Sequence, residues 1–401
     1  MIGIAASFGV VSTVAFGQTG GLQPAQNQAL QVTVEADAPP HAQRPSVPDE
    51  DLNRLRNVFG AARMGDVENA QAMAKDIQSP VARKLARWML VDSRGDLVGF
   101  AELTAAERDL AGWPRPGRRR QFAEDSLETA GLDPSAVIGF FADQPPKTAR
   151  GAMALAAADQ ATGHPADAQT LIRQTWRTMA FDADTQKSLL ARFGSLLTSD
   201  DHVARANLLL YGQQGSALKE LLPLLPADQR ALAEARMAFR SDARQAPQLF
   251  AAVPAALQSD KGLIYERAGY LRRANQPDAA LQLAASLPSG LTAEDAASRV
   301  WTERRQLINV SLKKGDYRAA YILAANAGMT APSDIADSEF FAGWLALDKL
   351  KEAQTADVHF ARIQAAGNSP ITQSRALYWR GRAHEAMGDR VGAQAYFAQA
   401  A

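Results

Sequence analysis

Alanine recurs in this chain at one fixed distance from a turn residue, and that recurrence limits what the chain can build. Five residues after Gly65, Gly163, Gly212, Asn275, Gly315, Lys351 and Gly388 stand Ala70, Ala168, Ala217, Ala280, Ala320, Ala356 and Ala393. Nine and twelve residues after the same anchors come mostly apolar side chains, such as Ala74 and Ile77, Phe360 and Ile363, or Phe397 and Ala400. Steps of four and three place these positions on one stripe of a helix. A small residue at the head of the stripe lets a neighbouring helix come close, and Gly or Asn ahead of it suits a tight turn between helices. Another amphipathic run precedes each copy, for example Trp301–Leu312 before Gly315 or Ala376–Ala386 before Gly388. The unit is helix–turn–helix.

From Asn275 onward the anchors stand 40, 36 and 37 residues apart, close to the tetratricopeptide period of about 34. The last copy carries much of that pattern in Gly381, His384, Ala393 and Phe397, whereas the earlier anchors are irregularly spaced. Long Val/Ile/Thr strand patterns are missing. The expected fold is all-α: a right-handed superhelix (α-solenoid) of tetratricopeptide-like hairpins, U- or ring-shaped. A chain of 401 residues is long for one compact core, but it suits a solenoid whose repeats bury only their neighbours' faces.

Lys plus Arg and Asp plus Glu balance at 43 each, so no nucleic-acid partner is expected. The one dense basic run, Arg115 to Arg120 (RPGRRR), follows Trp113-Pro114 and reads as a solvated turn that opens a helix. Cysteine is absent, which excludes disulfides, thiol nucleophiles and cysteine-ligated metals. Residues 1–17 are apolar and end in Ala15-Phe16-Gly17, a small-x-small cleavage pattern, so they read as an export signal despite lacking a basic start. Residues 18–48, rich in Pro, Gln and Ala, read as a disordered tether. Folded structure is expected from Asp49, with Asp49-Glu50-Asp51 capping a helix that starts at Leu52. The expected division is a superhelical region over 49–300 and a second one over 301–401.

No catalytic, cofactor-binding or metal-ligating residue can be assigned from residue chemistry. The five histidines, at 41, 164, 202, 359 and 384, lack metal-ligand spacing. His384-Glu385 opens like a zinc protease motif, but Gly388 holds the place of the second histidine. No glycine-rich phosphate loop occurs. Most carboxylates appear on polar faces beside Arg or Lys, as in Glu303-Arg304-Arg305. Glu339 alone is embedded among aromatics, and a salt-bridge role or a helix N-terminal charge accounts for it. Phe340, Phe341, Trp344, Tyr378 and Trp379 recur at helical spacing and read as packing between hairpins. The minority reading has some of them stacked on sugar rings in a groove.

Several blocks resemble the superhelical region of soluble lytic murein transglycosylases. They are Ser338–Leu347 (SEFFAGWLAL), His359-Phe360, Ser369–Thr372 (SPIT) and Ser374–Ala383 (SRALYWRGRA). Trp301–Arg305 and the pairing of Gly315-Asp316-Tyr317 with Ala319-Ala320-Tyr321 add to the likeness. The resemblance is specific from Trp301 to Ala401 and extends by repeat and helix content back to Asp49. It implies a periplasmic protein that holds peptidoglycan glycan strands and needs no cofactor. Its family cleaves the MurNAc–GlcNAc linkage to a 1,6-anhydro end with a single glutamate in a lysozyme-like domain. That domain's Glu-Ser and Gly-Leu-Met-Gln blocks do not occur in this sequence, so it is expected in cis after Ala401 and no catalytic residue is carried over. Two alternatives stand beside this one: a stand-alone periplasmic scaffold for protein interactions, and a cytoplasmic tetratricopeptide adaptor.

Overall fold

The computed structural model describes residues 47–212 and 214–401. The expected leader over 1–17 lies outside them, as does nearly all of the expected tether. Asp49–Ala401 form one compact unit. Among the described residues helix follows helix and no strand occurs. The first part contains α1 (Asp49–Met64), α2 (Val67–Lys75), α3 (Pro80–Arg94), α4 (Phe100–Asp109), α5 (Pro116–Ser126), α6 (Pro134–Phe140) and α7 (Ala149–Ala161). Then come α8 (Pro165–Thr178), α9 (Ala183–Phe193), α10 (Ser199–Tyr211), α11 (Ser216–Leu221), α12 (Ala227–Arg240), α13 (Ala246–Ala252) and α14 (Lys261–Arg273). The chain continues through α15 (Pro277–Gln282), α16 (Glu294–Lys314), α17 (Tyr317–Ala325), α18 (Pro332–Trp344), α19 (Ala353–Ala366), α20 (Pro370–Ala386) and α21 (Arg390–Ala400). Helices pack mainly on their neighbours in sequence, so the chain is an all-α solenoid of tetratricopeptide-like hairpins.

The turn inside each hairpin explains the repeat. Six of the seven anchors, Gly65, Gly163, Asn275, Gly315, Lys351 and Gly388, have left-handed backbones. At Gly315 the amide donates to Leu312 O at 3.1 Å and the next amide, of Asp316, donates to Ser311 O at 2.9 Å. These two bonds close the first helix in a Schellman motif. Asp316 then caps the second helix, its carboxylate accepting the Ala319 N–H at 3.0 Å. Asp66 and Asp389 do the same for α2 and α21. One two-residue turn thus ends one helix, starts the next and sets the register of the stripe. Ala70, Ala168, Ala280, Ala320 and Ala356 are fully buried and Ala393 nearly so.

Ala217 departs from the expectation. Gly212 has a φ of −82°, not a left-handed one, and α11 begins only at Ser216. Leu221 is buried at its expected place, but Leu218 and Leu225 are buried instead of Ala217, which is partly exposed, and Leu224, which is 40% exposed. Conversely, Asp242 forms a left-handed turn with the same pair of bonds, to Phe239 O and Ala238 O. Its buried alanine, Ala246, follows at four residues instead of five, which hid it from the spacing rule.

Lys351 pays a steric cost at φ 59°, because a Cβ crowds the following carbonyl in left-handed backbone. Lys351→Gly is therefore expected to raise stability by about 0.5–1 kcal/mol, the relief of strain exceeding the added freedom of the unfolded chain. Thermal unfolding of the two proteins checks this, and an unchanged or lower midpoint would contradict it.

Two other expectations need correction. The first helix opens at Asp49, not Leu52, and Asp51 does not cap it. The buried Asp51 carboxylate instead accepts the Gln78 and Ser79 N–H groups at 3.0 and 2.7 Å, tying α1 to the entry of α3. These backbone bonds hold its carboxyl below the usual aspartate range. The division placed at 300/301 falls inside α16, which runs unbroken from Glu294 to Lys314.

Charged side chains were also misplaced by the sequence reading. Arg304 is 1% exposed and Glu303 8%, so neither lies on a polar face. Arg304 donates to Leu323 O, Leu287 O and Pro288 O at 3.0–3.1 Å. Leu323 belongs to the last turn of α17, whose carbonyls have no partner within the helix. Burial pulls the Arg304 pKa down to about 10, so it stays charged at neutral pH. Arg205 repeats the device on Met179 O and Phe181 O, and Arg119 on the loop after α4. In the RPGRRR run, Arg115 and Arg118 are exposed as expected for a solvated turn, but Arg119 and Arg120 are buried.

Ion pairs join successive first helices. Arg240 of α12 holds Glu266 of α14, and Arg272 of α14 grips Glu303 of α16 through two bonds of 2.6 and 2.8 Å. Glu303 and Glu266 are mostly buried, and desolvation pushes the Glu266 carboxyl up against the pull of Arg240. In this stretch α10, α12, α14 and α16 each touch the next, and α16 touches α10 again. The solenoid curves tightly there.

Candidate binding groove

Four of the blocks that carry the family resemblance, Ser338–Leu347, His359-Phe360, Ser369–Thr372 and Ser374–Ala383, fall on α18, α19 and α20 and the turns between them. Gly343 lies under Phe360 so closely that a Cβ would sit 2.5 Å from the ring, and Gly381 lies under Phe397 at the same 2.5 Å. A glycine on the first helix facing a phenylalanine on the second is thus used twice. One residue more separates Gly343 from Phe360 than Gly381 from Phe397. A π-turn over Leu345–Lys349 at the end of α18 takes up the extra residue.

The aromatic residues join the two hairpins. Phe340 packs edge-on to Trp379 with ring centroids 5.5 Å apart, and Trp379 reaches Phe360 at 5.7 Å. The Arg375 guanidinium lies 3.7 Å above the Phe340 ring, a cation–π contact. Beyond Trp379 the rings of Tyr378 and Phe397 border an open groove of about 1440 Å³. Its lining includes Ile371, Arg375, Tyr378, Arg382, Glu385 and Phe397. Ile371 is 82% exposed and Tyr378 43%. Apolar rings and the charged Arg375, Arg382 and Glu385 line it together with the last residues of the sequence, Gln399 to Ala401.

Glu339 is engaged elsewhere. Its carboxylate accepts from His359 Nδ1 at 2.6 Å and from Arg362 at 3.4 Å. A carboxylate only accepts, so the Nδ1–H of His359 faces Glu339, and on its other side Nε2 shares a hydrogen bond of 3.0 Å with the Tyr321 hydroxyl. Burial raises the Tyr321 pKa, with Glu352 adding to the effect, and the phenol stays protonated. One imidazole, buried between partners, links α17, α18 and α19. This is the salt-bridge role expected for Glu339.

The other histidines are dispersed. His384 is a half-buried residue of α20 that bonds Asp389 at 2.8 Å, while His202 packs on Trp176 and burial lowers its pKa. His41 is outside the described residues. Among the described residues no three His, Cys, Asp or Glu side chains are set to hold a metal ion, and no helix is long and apolar enough to cross a membrane.

No protein-family model matches the chain, and no curated protein matches it. Among solved structures, it is similar to the human IFIT1 dimer with m7Gppp-AAAA at 12% identity and a TM-score of 0.30, over 87% of this chain and 89% of that one. It is also similar to the APC/C hetero-tetramer Cut9–Hcn1 at 11% identity and a TM-score of 0.26, over 86% of this chain and 95% of that one.

Proposed function

We propose that this chain is a binding scaffold, and that it holds the glycan strands of peptidoglycan as the superhelical region of a periplasmic lytic transglycosylase. The observation that carries the reading is the packing of the resembling blocks on one another. Ser338–Leu347 meets Ser374–Ala383 through Phe340 and Trp379, and His359 joins the first block to Tyr321. A likeness scattered along the sequence therefore falls on one packed unit, which supports a shared architecture over a coincidence of composition. The Glu339 carboxylate is occupied by His359 and Arg362, and the groove beside it offers apolar rings and mixed charge. Both features favour holding a polymer over cleaving it. The export-like residues 1–17 favour a periplasmic site of action.

The test is co-sedimentation of the purified chain with insoluble peptidoglycan. Weak retention is expected, and raising salt is expected to reduce it because the exposed charges that contribute are screened. No 1,6-anhydromuropeptides are expected in the supernatant. Retention no greater than that of an unrelated helical protein would count against the glycan reading, and release of anhydro products would overturn the non-catalytic one. A second reading, a periplasmic scaffold for proteins, is favoured by the apolar rings that line the Tyr378–Phe397 groove. It predicts no retention on peptidoglycan.

A further inference from the structure

Cations gather without matching carboxylates where α2, α3 and α4 meet. Ser79 caps α3 and Pro80 opens it, so the N-terminal half of α3 sets Arg83, Lys84 and Arg87 close to the last turn of α2, which carries Lys75. These four line a groove of about 510 Å³, and the carboxylates among its lining are Glu102 and Asp109 of α4. Both carboxylates are taken by one side chain: Arg87 donates to Glu102 at 2.7 Å and also to Asp109. Lys75, Arg83 and Lys84 are exposed and form no ion pair among the described residues.

Arg83 is not a loose surface charge. Its Nε and Nη2 both donate to Ile77 O, at 3.0 and 2.7 Å, which fixes the guanidinium plane and leaves Nη1 for another acceptor. Like charges at i and i+4 repel on a helix, yet here both arginines are held, Arg83 by a carbonyl and Arg87 by two carboxylates. A guanidinium already fixed gives up less freedom when it grips a carboxylate. Ala74, Pro80 and Leu90 add apolar surface to the same groove. In the Tyr378–Phe397 groove, by contrast, Arg382 is paired with Glu385 at 3.2 Å and Arg375 covers the Phe340 ring.

We infer that the α2–α4 groove docks a short acidic stretch of a partner polypeptide. Its glutamate or aspartate side chains meet Lys75, Arg83 and Lys84, and its small apolar side chains meet Ala74, Pro80 and Leu90. Charge complementarity selects this occupant: four cations line the groove against two carboxylates, and both of those are engaged within it. A plain anion would leave the apolar surface unused. A nucleic acid needs a basic surface that follows its backbone over several nucleotides, whereas over the chain Lys plus Arg and Asp plus Glu balance at 43 each. The inference is independent of the glycan reading and adds a protein partner to the scaffold.

The experiment titrates a rhodamine-labelled octapeptide of alternating glutamate and alanine with the full chain at low salt, following fluorescence anisotropy. The same peptide with glutamine for glutamate runs beside it. The glutamate peptide is expected to bind about tenfold more tightly, the sum of several exposed ion pairs of modest individual worth, and the advantage should shrink as salt rises. Lys84→Glu is expected to weaken it about fivefold, and Lys75→Glu combined with Lys84→Glu should remove the preference. Lys219→Glu, on α11 and also exposed, changes net charge as much as Lys84→Glu does and should leave binding unchanged. Unfolding midpoints should match wild type, and Lys84→Gln repeats the measurement should Lys84→Glu lose its fold. Equal affinity for the two peptides, wild-type binding by a folded Lys84→Glu, or an equal loss in Lys219→Glu overturns the inference. A thymidine octanucleotide that binds more tightly than the glutamate peptide overturns it too, by assigning the groove to nucleic acid.

Discussion

Replacing Arg304 with alanine is expected to destabilise the fold by about 3–5 kcal/mol, the range for truncating a large buried side chain and stranding its partners. Arg304 is 1% exposed and serves three backbone carbonyls, two in the connection before α16 and one in the last turn of α17. Alanine leaves Leu287 O, Pro288 O and Leu323 O without donors and opens a cavity between α16 and α17. Water could satisfy some of these carbonyls, which places the expected value below a simple sum of lost bonds. The control is its neighbour. The Arg305 side chain is 52% exposed and its ion pair with Asp337 is 3.4 Å long, so Arg305→Ala is expected to cost about 0.5 kcal/mol or less. Urea unfolding of both variants separates them. Equal losses would show that the buried arginines are not what closes the hairpin ends.

The same arginines mark where sequence reading runs out. A charged residue on an amphipathic helix is ordinarily assigned to the solvent side, and that rule misplaced Glu303, Arg304, Arg119 and Arg120 together. The terminal nitrogens of Arg119 and Arg304 meet backbone carbonyls, that of Arg120 meets Phe140 O, and Glu303 meets a facing ion, while the Nε atoms of Arg119, Arg120 and Arg304 are left without a hydrogen-bond partner. For Arg304 and Glu303 those partners are tertiary neighbours, 16 to 31 residues away, and no local pattern announces them. A signal was present for Arg119, since RPGRRR follows a Trp-Pro turn that leaves several carbonyls free.

The hairpins themselves were legible because their cause is local. A left-handed turn residue, a cap and a small residue five positions on all lie within one short window. Where the turn chemistry changes, the rule fails in both directions, at Gly212 and at Asp242. The Gly343–Phe360 and Gly381–Phe397 pairs were visible only as separate motif residues, because a π-turn offsets one spacing from the other. The network of Glu339, His359 and Tyr321 was half legible: the carboxylate stood out among aromatics, but its partners come from two other helices. The contact of Trp88 with Trp113, ring centroids 6.2 Å apart, was not legible, because the loop that Arg119 holds brings the second ring to the first.

The turn, not the alanine, sets each hairpin's register. Ala320, after a left-handed Gly315, is fully buried in the core cluster that holds Leu307, Ile308 and Leu323. Ala217 follows a turn of different backbone and borders an open groove of about 870 Å³. Leucine at position 320 overfills a close helix contact and is expected to cost about 3 kcal/mol, the upper end for overpacking. The same change at position 217 extends into open space and is expected to cost about 0.5 kcal/mol or less. Thermal unfolding of Ala320→Leu and Ala217→Leu side by side is the most direct measurement. A large drop in midpoint for the first alone is the predicted result, and equal drops, or a larger one for Ala217→Leu, would contradict it.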